Sequence, residues 1–440
     1  MGVCLDEEST DTVELGKDFF EIVMAQRDCA PSMKPKSFSM GMIASSIVKP
    51  KNANQIKSLL KNNKCVIRGS GSTFTGSILP HEGETIISTA KLDTVTIKGR
   101  KAEVGGGTPF YRLMRAAKRH NLEVPCYPHT YNTATVGGFI SNNGIVGFNS
   151  IGTGYFFDYI EELDVISASG TRYKVRGNDI KDFFGAEGRL GLILRVKMNL
   201  IDKQTRYVHM YGFDGIEDLL RFKEENDDIY ACYVLTKDAM KVFEQDLQLK
   251  HVSEYSAIVI DKNWKDDYKK KLRTDLAQEG VSYIYPKDIV KYCFKRIGRM
   301  ELGLVGRKDN VHIGDGIVSY DDVYKVIRAA RSERLPFFMN FGKDEILYRV
   351  YADCKSAFKR LKFMLLMDHL HSFSYPNCAG SFFADALEGT SRSERLESAK
   401  GKYDTKFNVL QRVQLYPGKG KRTILSPLIK LFGGELWKDE

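Results

Sequence analysis

Paired cysteines, long apolar runs and nucleic-acid-binding signatures are all missing from this chain of 440 residues. Its eight cysteines stand far apart and form no C-x-x-C pair. That spacing argues against zinc ribbons, the cysteine runs that hold iron–sulfur clusters, and a disulfide framework. We therefore expect a reduced, cytoplasmic protein, in which any iron–sulfur cluster would have to come from a partner subunit.

No stretch of the sequence has the length and apolarity of a membrane-spanning helix, and the residues around Cys4 do not form a secretory signal. Residues 425–437 are largely apolar and follow Lys419, Lys421 and Arg422. Such a tail is typical either of a short interfacial anchor or of ordinary packing. The sequence thus predicts a membrane association that is at most peripheral, at the inner face of the membrane.

Lysine and arginine number 66 against 56 aspartates and glutamates, which gives a net charge of +10. An excess of this size fits an anionic cofactor, an acidic substrate or an acidic surface. The basic residues are scattered, and no helix-turn-helix, zinc-finger or RNP-like pattern accompanies them. We expect a small anionic substrate and no nucleic acid.

Glycine is plentiful, and the glycines cluster. Directly after the apolar stretch 65–67 comes a loop of glycines, small hydroxyl residues and one arginine: Arg68, Gly69, Ser70, Gly71, Ser72, Thr73 and Gly76. Glycines allow positive φ and close backbone approach, so successive N–H groups can converge on phosphate oxygens. The loop therefore predicts a diphosphate site.

The two common phosphate loops do not match this segment. A Rossmann loop would open a long helix, whereas residues 77–80 are Ser-Ile-Leu-Pro. A Walker A loop would continue with Gly-Lys-Ser/Thr, and Gly76 is followed by Ser77. Two further segments rich in small residues follow at 135–144 and 185–193. Three such segments exceed what a lone phosphate needs, and they favour a dinucleotide.

The order and spacing of the three segments resemble the FAD-contacting segments of the vanillyl-alcohol-oxidase (PCMH-type) flavoproteins, nearest to the glycolate oxidase and D-lactate dehydrogenase branch. The likeness covers about residues 40–200. It implies an α+β fold in which a PCMH-type FAD-binding domain consists of two α+β subdomains. A cap domain built on an antiparallel, ferredoxin-like sheet would hold the substrate.

The resemblance also assigns each segment a part of FAD. The loop 68–76 would hold the pyrophosphate, 135–144 would run beneath the isoalloxazine and ribityl chain, and 187–193 would line the adenine side. The implied contacts in the second and third segments are Thr135, Gly137, Gly138, Ser141, Asn142, Gly144, Glu187, Gly188, Gly191 and Ile193. Ser72 stands where some members carry a flavin-tethering histidine, so we expect non-covalent FAD.

Composition shifts near residue 201, where the glycine clusters thin out and aromatic and charged residues become more frequent. We therefore predict an FAD-binding domain at 1–200 and a cap domain at 201–397. The remaining segment, 398–440, is predicted to pack back on the FAD-binding domain.

The branch named above carries two metal-binding motifs in its cap domain, and both have lost their histidines here. Residues 340–348 stand against the first motif, with Phe341 and Tyr348 in place of two imidazoles, and residues 374–380 stand against the second. A rival alignment uses 311–316, Val-His-Ile-Gly-Asp-Gly, which we interpret instead as a strand end with a Gly-Asp-Gly turn. We expect no metal site.

Without a metal, a hydroxy acid needs another anion-binding group and a base. Arg299 lies about where the branch keeps a carboxylate-binding arginine, and Arg349 lies beside the altered motif. His129 precedes the second glycine segment and is the first candidate base, with Tyr131 and Tyr348 as alternatives.

These features predict an FAD-dependent oxidoreductase that oxidises a small 2-hydroxy acid or a related alcohol by hydride transfer to flavin N5. Electrons would pass to a quinone, an electron carrier or oxygen. Two alternatives stay open. One is a sugar or aldonolactone oxidase-like or ether-lipid synthase-like flavoenzyme, and the other is a non-catalytic flavin-binding subunit of an electron-transfer complex.

Overall fold

A computed structural model describes residues 14–16, 44–73, 77–80, 83–226, 229–241, 252–261, 280–291, 293, 311–377 and 391–403. Its chain divides into two compact units. The first unit holds the described residues up to 145, then 156–203, 377 and 391–403, and the second holds 146–155 and the described residues within 204–376.

A small sheet that is mostly parallel begins the first unit. Its strands are β1 (Glu14–Gly16), β2 (Ser46–Lys49), β3 (Cys65–Arg68) and β4 (Thr85–Ser88), in the order β1-β2-β4-β3. Strands β2, β4 and β3 run parallel, and β1 is antiparallel to β2. Helix α1 (Ala53–Asn62) connects β2 to β3, and its N-cap is Asn52, whose side chain accepts a hydrogen bond from the Gln55 N–H at 3.0 Å. The glycine loop therefore leaves the end of a buried parallel strand.

The larger sheet of the first unit is antiparallel and has five strands. These are β5 (Val95–Lys98), β6 (Lys101–Gly105), β8 (Ile160–Ile166), β9 (Arg172–Val175) and β10 (Leu192–Asn199), in the order β5-β6-β10-β8-β9. A separate two-stranded antiparallel sheet consists of β7 (Leu122–Glu123) and β11 (Ile201–Asp202). Helices α2 (Phe110–Arg119) and α3 (Val136–Ser141) contribute Phe110 and Ile140 to a core that also contains Phe156 and Phe184.

The start of α2 differs slightly from the helix predicted by its sequence pattern. Threonine is a common N-cap residue and proline is favoured at the first helical position, so Thr108 and Pro109 predict a helix that starts at Pro109. The helix instead begins at Phe110, with Pro109 as its N-cap. Pro109 is extended, at ψ 143°, because it forms a β-bridge with Thr135. A tertiary contact thus moved the helix start by one residue.

Helix α8 (Ser391–Lys402) also belongs to the first unit. Tyr403, directly after it, packs edge-to-face against Tyr173 and Phe183, with ring centroids 5.3 and 5.1 Å apart. Lys402 forms an ion pair with Asp179 at 2.5 Å. Residues 404–440, most of the predicted C-terminal segment, lie outside the described residues.

One seven-stranded antiparallel sheet forms the centre of the second unit. Its strands are β12 (Tyr207–Phe213), β13 (Ile229–Thr236), β14 (Tyr255–Asp261), β15 (Val281–Ile284), β16 (Val311–Ser319), β17 (Phe337–Phe341) and β18 (Glu345–Asp353). They lie in the order β15-β12-β14-β13-β17-β18-β16. The unit also contains the short helix α4 (Ser150–Thr153) and the helices α5 (Ile216–Glu225), α6 (Val323–Ser332) and α7 (Ala357–Leu370).

The three longer helices cover one face of this sheet, which we call the helix face. Phe222 of α5 packs on Tyr211 with ring centroids 5.2 Å apart, and Arg331 of α6 donates a hydrogen bond to the Tyr255 hydroxyl at 3.0 Å. Phe363 of α7 packs against His312, with ring centroids 6.2 Å apart. The other face, which we call the open-strand face, presents aromatic side chains that include Tyr233, Phe338 and Tyr351.

The predicted Gly-Asp-Gly turn at 314–316 is wrong. These residues lie inside β16 and pair with residues 348–350 of β18. A β-carbon at Gly314 would lie 2.1 Å from the Met367 sulfur, and one at Gly316 would lie 2.5 Å from the Tyr348 hydroxyl. These glycines therefore provide room for large neighbours and do not reverse the chain.

The α+β class and the antiparallel sheet that follows the glycine-rich part are confirmed. The compact units differ from the contiguous predicted domains, since 146–155 belongs to the second unit and 391–403 to the first. The predicted domain boundaries, and the ferredoxin-like type of the sheet, stay predictions.

Candidate functional site

The three glycine-rich segments come together at the end of β3. Gly69 lies against the start of α3, where a β-carbon on it would be 2.7 Å from Thr135 Oγ1. That oxygen accepts a hydrogen bond from the Gly138 N–H at 3.1 Å, and a β-carbon on Gly138 would also lie 2.7 Å from it. Glycine at 69 and 138 therefore lets the first segment approach the second at backbone distance.

The third segment is bound directly to the second. Gly185 donates its N–H to the Ile140 carbonyl at 3.1 Å, and Glu187 donates its N–H to the Ser141 carbonyl at 2.8 Å. Gly188 faces the side chain of Ile67 in β3. A β-carbon added to Gly188 would lie 3.6 Å from that side chain. The tertiary fold thus assembles into one place three segments that are about 50 to 120 residues apart in sequence.

The loop after β3 presents hydroxyl and amide groups. Arg68 Nη2 donates to the Ser70 carbonyl at 3.2 Å, and its guanidinium lies over Gly71, which has φ +76°. Ser70 donates from its hydroxyl to the Ser72 hydroxyl at 3.1 Å. Within the described residues, the backbone N–H groups of Ser70 and Ser72 have no protein partner. Unused N–H donors beside positive-φ glycine fit an anionic group.

A glycine run that the sequence analysis did not assign to the site supports this assembly. Gly106 donates its N–H to the Leu194 carbonyl at 3.0 Å and accepts from the Gly137 N–H at 2.9 Å. A β-carbon on Gly106 would lie 1.9 Å from the Ile193 carbonyl oxygen, and one on Gly107 would lie 1.8 Å from that of Thr89. The signal for these residues was the triplet of glycines at 105–107, whose first member is the last residue of β6.

The predicted contacts in the third segment have an unusual backbone. Glu187 has φ +51° although it is not glycine, and its buried carboxylate is 3.3 Å from Arg189 Nη2. Gly191 has φ +128°, and a β-carbon on it would meet the Ile166 carbonyl oxygen at 2.3 Å. Ile193 is buried in the core of the first unit.

The predicted contacts at the end of the second segment serve the turn after α3. Asn142 donates its N–H to the Gly138 carbonyl at 3.0 Å. Gly144 lies against the Phe139 ring, since a β-carbon added to Gly144 would come within 2.3 Å of that ring. Ser141 and Asn142 are half-buried. Gly76, the last residue of the predicted loop, lies outside the described residues.

His129 and Tyr131 lie in a turn that leads into the second segment. The Tyr131 N–H donates to the Pro128 carbonyl at 3.0 Å, and the Tyr131 ring packs edge-to-face on Tyr127 with centroids 5.8 Å apart. His129 is buried. The catalytic roles of His129 and Tyr131 stay predictions.

The two predicted catalytic residues of β18 lie on opposite faces of its sheet. Tyr348 is fully buried on the helix face, where its hydroxyl is 2.7 Å from Ser374 Oγ and burial raises the pKa of its phenol. Arg349 pairs with Phe338 and Asp315 on the open-strand face. The structure therefore does not bring Tyr348 and Arg349 together.

Asn340 shares the open-strand face with Arg349 and was not assigned a role by the sequence. It lies on β17, pairs with Tyr233 and Leu347, and is buried to 3% exposure. Arg299, the other predicted carboxylate-binding residue, lies outside the described residues.

Within the described ranges, no group of three or more His, Cys, Asp or Glu side chains is placed to hold a metal ion. The expectation that the protein uses no metal stays a prediction. The close-packed glycines, the loop hydroxyls and the unused N–H groups fit instead a cofactor that contains a diphosphate.

Comparison with known proteins agrees with this geometry. Residues 44–176 match the family model described as an FAD binding domain. The chain is 31% identical over 191 residues to a D-lactate dehydrogenase of Archaeoglobus fulgidus, covering 40% of this chain and 43% of that protein. It is 29% identical over 178 residues to a decaprenylphosphoryl-beta-D-ribose oxidase of Mycolicibacterium smegmatis, covering 38% of each. The matches thus span less than half the length of these relatives.

Solved structures share the fold at low sequence identity. An alkyldihydroxyacetonephosphate synthase matches with a TM-score of 0.66 and 14% identity, over 89% of this chain and 81% of that chain. A variant of the BBE-like 1 protein of Physcomitrella patens matches with a TM-score of 0.65 and 13% identity, over 93% and 98%. The sequence match over residues 44–176 and the geometry of the glycine-rich segments lead to one conclusion: the chain carries a domain that matches the FAD binding domain family, and FAD is its cofactor.

Proposed function

We propose that the protein is an FAD-dependent oxidoreductase that oxidises a small 2-hydroxy acid or a closely related alcohol. The observation that carries this proposal is the 31% identity to a D-lactate dehydrogenase over 191 residues. FAD, when bound, supplies hydride acceptance at N5. The protein must bind the acid, orient its C–H bond and take up the hydroxyl proton.

Arg349 and Asn340 are the residues that we propose for binding the acid. Both lie on the open-strand face, on the neighbouring strands β18 and β17. A guanidinium binds a carboxylate through paired charge-assisted hydrogen bonds. The carboxamide of Asn340, a buried residue, offers both a donor and an acceptor to the polar atoms of a substrate. His129 remains our candidate for the base.

The test is an anaerobic titration of the purified protein with a panel of 2-hydroxy acids, followed by visible absorption spectroscopy. Bleaching of the flavin band by one acid is the expected result. The Arg349→Gln variant should then need about 10-fold or more of that acid for half-bleaching. Arg195→Gln is the matched control, because Arg195 pairs with Glu103 on the surface of the other unit at 2.8 Å. Bound flavin that no hydroxy acid bleaches would overturn the proposal.

A second candidate function has its own support. The fold match to an alkyldihydroxyacetonephosphate synthase and the identity to a decaprenylphosphoryl-beta-D-ribose oxidase favour an ether-lipid synthase-like or sugar oxidase-like flavoenzyme. Sugars and aldonolactones belong in the same titration, and bleaching by one of them would select the sugar oxidase-like form of this candidate. An ether-lipid synthase-like reaction is redox-neutral overall, so a flavin that no donor reduces would select either that form or the third alternative, a non-catalytic flavin-binding subunit.

We propose that FAD is held without a covalent bond, since Ser72 replaces the tethering histidine, and acid precipitation should release the flavin into the supernatant. The electron acceptor that we propose is a quinone, an electron carrier or oxygen, in a cytoplasmic setting. Across the described residues, none of the helices combines the length and the apolarity needed to cross a bilayer.

A further inference from the structure

Asn143 combines three features that ordinary packing does not require together. It is buried to 2% exposure, it has φ +56°, and it follows α3 in the second glycine-rich segment. Left-handed backbone is uncommon outside glycine, although asparagine tolerates it better than most residues. A buried asparagine in this conformation needs its polar groups to be bonded.

The backbone of Asn143 is held on both sides. Its N–H donates to the Ile140 carbonyl at 3.1 Å, and its own carbonyl accepts from the Ile145 N–H at 2.7 Å. The next residue, Gly144, donates its N–H to the Phe139 carbonyl at 2.8 Å. The side chain of Asn143 is therefore presented from a fixed turn.

Half of the Asn143 carboxamide is bonded within the first unit. Its Nδ2 donates to Asn377 Oδ1 at 3.1 Å, a contact between residues 234 positions apart in the chain. Its Oδ1 is buried and has no hydrogen-bond partner among the described residues. Leaving a buried carbonyl unbonded is costly, and such atoms in native proteins usually have a ligand or ordered water beside them.

We propose that Asn143 Oδ1 accepts a hydrogen bond from an N–H group of the isoalloxazine or the adenine of bound FAD, so that Asn143 is a cofactor-binding residue. FAD offers two such donors: N3–H of the oxidised flavin and the 6-amino group of adenine. Both are planar groups that a fixed carboxamide oxygen bonds well. The bond to Asn377 holds the carboxamide in the orientation that presents Oδ1 to the cofactor.

The first test compares FAD binding by apo-proteins, measured from the quenching of flavin fluorescence. Asn143→Gly removes the carboxamide while glycine keeps the positive φ without strain. We expect its Kd for FAD to rise about 10- to 100-fold, because a buried acceptor is lost. Asn121→Gly is the matched control, since Asn121 has the same φ of +56° but is exposed. Its Kd should match that of the wild type.

The second test identifies the donor with two analogues, 3-methyl-FAD and the FAD analogue whose adenine lacks its 6-amino group. In the wild type, the analogue that lacks the bonded N–H should bind about 10-fold more weakly than FAD. In Asn143→Gly, this analogue and FAD should bind with equal affinity. For the other analogue, the loss of affinity relative to FAD should be the same in the wild type as in Asn143→Gly.

Two results would overturn the proposal. One is an unchanged FAD Kd in Asn143→Gly, when thermal melting of the apo-protein confirms that the variant is folded. The other is a weaker Kd in which both analogues suffer the same penalty in the wild type and in the variant, because Asn143 would then not accept from either N–H. Neither result depends on the substrate, so failure here is distinct from failure of the proposed oxidase function.

Discussion

Gly69 lies too close to its neighbours for even a methyl group. A β-carbon there would come within 2.7 Å of Thr135 Oγ1, which is the atom that accepts from the Gly138 N–H. The Thr135 side chain would have to rotate away, and the helix N-cap would be lost with it. Loss of such a cap typically costs about 1 kcal/mol.

We therefore expect Gly69→Ala to lower the free energy of unfolding by about 1 kcal/mol and to weaken FAD binding at least about 10-fold, since the first two segments separate. Urea denaturation and apo-protein titration measure the two effects. Gly401→Ala is the control, because a β-carbon at Gly401 meets nothing within 4 Å. Full FAD affinity in Gly69→Ala would show that the first segment does not need this contact.

At the level of the element, β8 carries two buried carboxylates, Glu162 and Asp164, and both form ion pairs with lysines and arginines of the same sheet or directly after it. Asp164 accepts two hydrogen bonds from Arg172, from Nε at 2.7 Å and from Nη2 at 2.6 Å, and its carboxylate lies 2.9 Å from Lys174 Nζ. Glu162 pairs with Arg176, Lys174 and Lys197. Burial alone would raise the pKa of both carboxyls, but their cationic partners outweigh it and hold both pKa values below the ordinary range.

Because the folded pKa of Asp164 is lowered, its charge stabilises the fold at neutral pH and loses that effect as the pH falls through the folded pKa. Asp164→Asn should reduce the free energy of unfolding by about 2 kcal/mol at pH 7, and the difference from wild type should shrink below about pH 4. Urea denaturation across this range measures it.

The matched control for the Asp164→Asn measurement is Asp202→Asn, in β11. Asp202 pairs with Arg100, but its side chain is 59% exposed, so its loss should change the free energy of unfolding by less than about 0.5 kcal/mol. If Asp164→Asn had an equally small effect, or one that persisted unchanged to pH 3, the paired carboxylate would not be what stabilises β8.

Strand β18 shows how an element decides a residue's role. Tyr348 and Arg349 are neighbours in sequence, but the alternation of a β-strand sends Tyr348 to the helix face and Arg349 to the open-strand face. The Tyr348 hydroxyl forms a hydrogen bond with Ser374 Oγ, and Arg349 lies on the open-strand face with Asn340. Adjacency in the sequence therefore does not place Tyr348 and Arg349 in one site.

For the whole molecule, we expect FAD to contribute to the stability of the first unit, because the three segments that are predicted to bind it meet in that unit. A ligand that binds only the folded state adds about 2.7 kcal/mol at a free concentration of 100 times its Kd. We expect removal of FAD to lower the melting temperature by about 5–10 °C, measured by scanning calorimetry with and without added cofactor.

FMN at the same concentration is the control for this measurement, because it lacks the adenosine and the diphosphate that the segments are expected to bind. It should restore little of the lost melting temperature. Equal melting temperatures for apo- and FAD-loaded protein, with binding confirmed by absorbance, would contradict the view that FAD joins the three segments.

The cofactor could be predicted from the sequence because it depends on local backbone chemistry. Close approach and positive φ require glycine, so the segments around Gly71, Gly138 and Gly188 were visible as composition before any fold was known. The glycines at 314 and 316 show the limit of that reasoning. There the same residue type accommodates Met367 and Tyr348 inside a strand, and a turn was wrongly predicted.

By itself the sequence determined the α+β class and FAD as the cofactor, since the alternation of short helices and strands and the glycine-rich segments are local features of the chain. Only the tertiary structure decided which side chains share a surface: Arg349 with Asn340 and apart from Tyr348, and Asn143 with Asn377 across 234 residues. Strand order and facing depend on pairings between distant segments. Those pairings are chosen by the packing of the whole chain, and no local pattern of residues contains them.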